Sequence, residues 1–268
     1  MTTTHIPIIQ NLQQDNDMAF PMSRLLRLYW LETLSEWRKT IRQPGFAIPA
    51  LLFPVMFYIF FGVIFSQGTN TSSYMLVTYG VFGIVGPALF SFGVGMAVER
   101  GQGWMDLKQA SPMPPSAQII ARVLVSMLFA TIIIVSLFVI AYTLGGVRLA
   151  LWQWMSLAFI FIAGSLPFCV IGLCLGLVLK ANAAPAIVNL IYLPMSFLSG
   201  LWFPIDLFPK VMQNLANAFP PYHLAQLGLK IIDKDLGRPA WMHIASLLAF
   251  TLVFLLLTTI AYKRPTQD

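Results

Sequence analysis

Few side chains in this 268-residue sequence have the type and spacing to do chemistry. Cys169 and Cys174 lie five apart inside an apolar run, the wrong spacing for CxxC chemistry and on diverging faces of a helix. They read as small buried hydrophobes. His5, His223 and His243 are far apart and form no HExxH or similar pair, so no metal site is expected. Ser91, Ser165, Ser196 and Ser199 sit in apolar stretches with no base near them in sequence. Such serines hydrogen-bond to backbone or allow close helix packing, rather than act as nucleophiles. There is no GxxxxGK[ST] loop to cradle a triphosphate, so the chain cannot burn ATP alone. Proton coupling needs acids or histidines deep in the apolar stretches. Here Glu99 and His243 stand only at their edges. An enzymatic reading has no constellation to rest on.

What must position the remaining groups is a membrane domain. The chain is 58% hydrophobic and only 10% charged, too little charge to cover a soluble surface of this size. Its net charge of +6 comes from bases scattered beside apolar runs, not from one stripe, so nucleic acid is not an expected partner. A bilayer core about 30 Å thick needs roughly 20 helical residues. Six stretches qualify: Phe46–Phe65, Tyr74–Val98, Ile119–Leu144, Trp152–Leu179, Pro185–Trp202 and Trp241–Tyr262. None has the short alternating pattern of a barrel strand, so an all-α integral membrane protein with six transmembrane helices is expected. The domain is expected over 22–264, between a disordered tail at 1–21 and a short one at 265–268. No cleavable signal is expected, because the first long apolar run starts only near Phe46.

Lys and Arg beside the spans set orientation. Eleven of the bases fall on the side that holds both termini and the connection between spans two and three, and five on the other. Both termini are therefore expected in the cytoplasm. From Met22 to Ile41, Leu26, Trp30, Leu34, Trp37 and Ile41 recur at three- and four-residue steps, with Arg27, Glu36, Arg38 and Lys39 on the remaining arc. That pattern describes a helix lying in the cytoplasmic headgroup layer. It could be a plain anchor or an elbow that braces a mobile first span, and periodicity does not separate the two.

Two further segments stand out. Between spans two and three runs ERGQGWMDLKQASPMPPSAQ, in which Trp104, Met105 and Leu107 form a short amphipathic piece before Pro112, Pro114 and Pro115 break it. After span five comes FLSGLWFPIDLFPKVMQNLANAFPPYHL. There Ile205, Phe208, Val211, Met212, Leu215 and Phe219 repeat at helical spacing between Pro204 and the pair Pro220–Pro221.

With the amphipathic helix before span one, these segments resemble a permease subunit of the ABC-2 type exporters over nearly the whole chain, from about Arg24 to Arg264. The resemblance implies short extracellular re-entrant helices between spans five and six, and an elbow helix at Leu26, Trp30, Leu34 and Trp37. It implies a loop, Glu99, Arg100, Gly103, Trp104, Met105, Asp106, Leu107 and Pro112, that carries ATPase closure into the spans. An extracellular gate would involve Gly200, Trp202, Phe203, Pro204, Phe208, Pro220 and Pro221. The implied partners are two cytosolic ABC ATPase subunits, which would bind the ATP and Mg, a second permease in a homodimer or a heterodimer with a like permease, and membrane lipids. The implied setting is a bacterial inner membrane, with a drug-like molecule, lipid or surface glycan as cargo. A membrane scaffold without transport is the other reading. The prolines and small residues of spans one and five (Pro49, Pro54, Gly62; Pro185, Pro194, Ser196, Ser199, Gly200) suggest that these spans meet at a dimer axis and line the route.

Overall fold

The computed structural model describes residues 22–66, 68–105 and 114–263, with Pro115, Tyr262 and Lys263 described by backbone alone. The expected tails at 1–21 and 265–268 lie outside these, as do Asp106, Leu107 and Pro112. Among the described residues ten α-helices carry the fold: α1 Met22–Ile41, α2 Pro44–Ile64, α3 Thr69–Gly101, α4 Pro115–Thr143, α5 Leu151–Gly164, α6 Leu166–Val178, α7 Ala184–Leu198, α8 Lys210–Ala216, α9 Pro220–Ile231 and α10 Ala240–Lys263. Among the described residues there is no strand.

Proline writes much of this grammar. Pro44, Pro115, Pro167, Pro185 and Pro220 stand in the first turns of α2, α4, α6, α7 and α9, where a missing N–H costs nothing. Pro54 and Pro87 sit inside α2 and α3, and each is followed by a widened π-helical stretch, at Tyr58–Ile64 and Phe90–Val94. A proline inside a helix removes one ladder bond, and a wide turn is one way the backbone absorbs that loss.

The hydrophobic core is built around α3. It is apolar on every side, and its residues from Met75 to Leu89 are all buried. Helices α2, α4, α6 and α9 pack around it, while α1 lies along α4 and α6 carries α10 on its outer side. The most apolar window of α10 is only 6% buried, against 72% for α3, so α10 is peripheral in the fold.

Among the described residues five helical stretches are long and apolar enough to cross a bilayer, with α5 and α6 counted as one. The expected span at 185–202 is shorter: α7 has 15 residues and stops at Leu198. Gly200 explains the stop. Its φ of +72° is left-handed, and a Cβ there would come within 2.9 Å of the Ile205 Cβ.

The segment beyond it is broken into short pieces. A single helical turn at Ile205–Leu207 and the short α8 come first. Pro220 and Pro221 then open α9, which is buried from Pro220 to Leu229 among α3, α5 and α10. Of the expected apolar face, Ile205 is buried, whereas Val211 is 78% exposed. Left-handed backbone at Asp233 and Gly237 turns the chain into α10.

Candidate functional site

A groove of about 420 Å³ opens between α2 and α7, with α3 as its floor. Helix α2 lines it with Pro49, Phe53, Pro54 and Phe57, α3 with Phe82 and Pro87, and α7 with Asn189, Tyr192 and Leu193. The floor is held by Tyr192. Its ring stacks on Phe82 at 5.2 Å, and its hydroxyl donates to the Phe82 carbonyl at 2.9 Å. Trp202 closes the far end, packed on Phe57 and Phe82, with its carbonyl accepting from the Tyr79 hydroxyl at 3.0 Å. The Trp202 Nε1–H is buried with no acceptor among the described residues.

At the other end the groove becomes charged. A second space of about 460 Å³ shares Gly45, Phe46, Phe90 and Asn189 with the first and adds Glu36, Lys39, Glu99 and Arg122. These four come from α1, α3 and α4. Helix α1 turns Thr33, Glu36 and Thr40 inward against α4, and the two threonine hydroxyls donate back to backbone carbonyls at 2.7 Å. Tyr29 ties the same face to Ser116 at 2.8 Å.

Arg122, 3% exposed, is the hub. Its guanidinium pairs with Glu99, lies 3.7 Å from Glu36, and donates to the Ser91 carbonyl at 2.8 Å inside the π-helical stretch of α3. Gly95 makes room for it, since a Cβ there would sit 2.9 Å from the Arg122 Nη1. Lys39 completes the cluster by pairing with Glu99 and, at 3.5 Å, with Glu36. Buried carboxylates thus face cations here, as buried ions must in a low dielectric.

Beside this cluster the loop expected to meet an ATPase begins. Arg100 donates to the carbonyls of Leu177 and Leu179, the latter at 2.7 Å, so it caps the end of α6. Gly103 turns the chain with φ +72°, Trp104 is 54% exposed, and Met105 packs back on the core. Glu99 and Arg100 are thus turned into the fold, and Trp104 faces outward.

Along α1, Leu26 and Trp30 are exposed, and Leu34 and Trp37 are half-buried, with the Trp37 ring 5.4 Å from Phe129. At the far end Phe203 lies 5.8 Å from Phe61, Phe208 lies 5.3 Å from Phe197, and Pro204 is half-buried. Sequence spacing did not announce two of these arrangements. The charged cluster had one signal, Arg122 placed inside an apolar run. The other is a contact between His223 and His243, whose Nδ1 atoms lie 2.9 Å apart.

The sequence model of the ABC-2 type transporter family matches residues 27–232. A protein of Bacillus subtilis (strain 168) whose name describes it as a transport permease, YvfS, is 27% identical over 245 residues, covering 88% of this chain and 97% of that protein. With several apolar helices around one core and no phosphate loop, the chain belongs to the ABC-2 type transporter family as a multi-pass transport permease.

Proposed function

We propose that this chain is the membrane subunit of an ATP-driven exporter that moves a hydrophobic or amphipathic molecule, drug-like or lipid, out across the bacterial inner membrane. The observation that carries this reading is the continuous groove, apolar from Phe53 to Trp202 and polar from Asn189 to Glu99. Its polarity runs in the same sense as that of a lipid in the cytoplasmic leaflet, headgroup at the base-rich end and chain toward the bilayer centre. An apolar wall offers a glycan few partners, which favours an amphiphile. Asn189 is an exposed amide on an apolar helix. At membrane depth a carboxamide facing hydrocarbon costs free energy, so it suits a groove with a polar occupant.

In this reading α7 crosses as a short sixth span, both termini are cytoplasmic, and α1 is an elbow in the headgroup layer. The turn at Ile205–Leu207, α8 and α9 dip back from the outer side as re-entrant helices over the groove's far end. Two copies of the permease, meeting along α2 and α7, bind two cytosolic ABC ATPases, which supply the ATP and Mg chemistry. Trp104 docks in a groove of the ATPase, since an exposed aromatic on a short loop is the kind of anchor that dominates a small interface.

The test is co-purification of the cognate ATPase with wild-type and Trp104→Ala permease, alongside ATP-dependent dye export from proteoliposomes. Loss of the anchor should weaken retention at least tenfold, for a cost on the order of 2 kcal/mol. Full retention with coupled export would overturn the docking assignment, and no ATP-dependent export by the wild-type pair would overturn the reading itself.

A further inference from the structure

We propose that His223 and His243 form a proton-binding pair that fastens α9 to the start of α10 and lets go when its side of the membrane is acidified. Both side chains are buried, 6% and 1% exposed. The His223 Nε2 lies 3.0 Å from the Asn217 carbonyl, and the two Nδ1 atoms face each other at 2.9 Å. A carbonyl only accepts, so His223 carries its proton on Nε2 and leaves Nδ1 as a lone pair. His243 must then donate from Nδ1, which leaves its Nε2 without a proton. That Nε2 is buried and has no partner among the described residues. One tautomer pair satisfies the contact.

A further proton has only two places to go. On the His223 Nδ1 it would set two N–H groups head to head at 2.9 Å. On the His243 Nε2 it would create a buried cation whose N–H meets no acceptor. The surroundings resist that charge. Arg238 donates to the Asn217 side chain beside the pair, and Lys230 lies 3.0 Å from Asp235, its neutralising carboxylate. Tyr222 packs edge-on against both rings, and Tyr74 of α3 lies within electrostatic reach of Tyr222. Helix α5, the third element packed on α9, has no titratable residue. Burial, with a smaller push from Arg238, holds His223 below its ordinary value despite the Asn217 carbonyl.

The sign follows. A histidine that titrates lower when docked takes up protons more readily once released, so docking is favoured above about pH 6.5 and weakens as pH falls below it. On the orientation proposed above, the acid that acts is external, and α9 is the buried part of the outer cap. The pair's titration in detergent does not depend on that orientation, so the two can fail separately.

The test is hydrogen exchange of the α9 amides in the full-length protein in detergent, corrected for intrinsic rates, at pH 7.5 and pH 5.0. Opening of α9 in the wild type should rise about tenfold or more, as expected when one buried histidine must take up a proton. His243→Asn keeps an amide N–H for the His223 lone pair and can flip to accept from a protonated His223. It should stay protected at both pH values, changing by less than about threefold. His243→Ala should exchange fast at both. A wild type indifferent to pH, a His243→Asn response as large as the wild type's, or a fully protected His243→Ala at pH 7.5 would each overturn the proposal.

Discussion

Arg122 shows how one side chain can organise the end of a membrane site. Its guanidinium reaches a carbonyl in α3 and carboxylates from α1 and α3, a combination that needs several donors in a fixed fork. Replacing it with Met would take from the buried Glu36 and Glu99 a cation that faces both. Truncating one partner of a buried ion pair typically costs about 3–5 kcal/mol, and a loss of that order is expected in denaturant unfolding of the detergent-solubilised protein. Arg122→Lys should fall between, since an ammonium cannot match the fork. A substitution to Met that leaves stability unchanged would mean that Arg122 does not balance these acids. Much of this was hidden in the sequence. Periodicity puts Glu36 on the polar arc of α1, which ordinarily faces solvent, whereas in the fold that arc turns inward against α4. Only an arginine three residues into an apolar run hinted at a buried partner.

At the level of elements, what the sequence could specify was length, apolar character and proline punctuation, and those features carried over to α2, α3, α4 and α10. Shortness and burial were less legible. The apolar run from Pro185 to Trp202 does not announce that its glycine will turn left-handed, because the turn depends on Ile205 folding back against it. Likewise α9 is mixed in composition and became buried only because α3, α5 and α10 enclose it. The Gly200 turn also sets Trp202 over the end of the groove. Gly200→Leu adds left-handed strain of roughly 1–2 kcal/mol and a clash with Ile205. We expect it to impair export while membrane insertion, followed by fractionation, stays at the wild-type level. Normal export by this variant would show that the turn does not govern the route.

For the whole molecule, the account joins three parts: a groove along α2 and α7, a charged cluster where α1, α3 and α4 converge, and an exposed Trp104 on the loop that leaves α3. Because Glu99 belongs to the cluster and Trp104 follows it by five residues, movement at the loop would be felt at the polar end of the groove. Composition and the two proline-bounded segments made the class of protein readable. The groove itself was not readable, since it exists only where α2 and α7 diverge over α3. Its role as the export route is the central claim, and Leu193→Trp tests it most directly. Leu193 lines the groove and is 40% exposed, so a larger ring there fills space without entering the packed core. The measurement is ATP-dependent export of a lipophilic dye from proteoliposomes holding the permease and its ATPase, with ATPase retention followed in parallel. The account predicts that Leu193→Trp keeps its ATPase and loses most of its export, whereas export at the wild-type rate with the ATPase bound would contradict it.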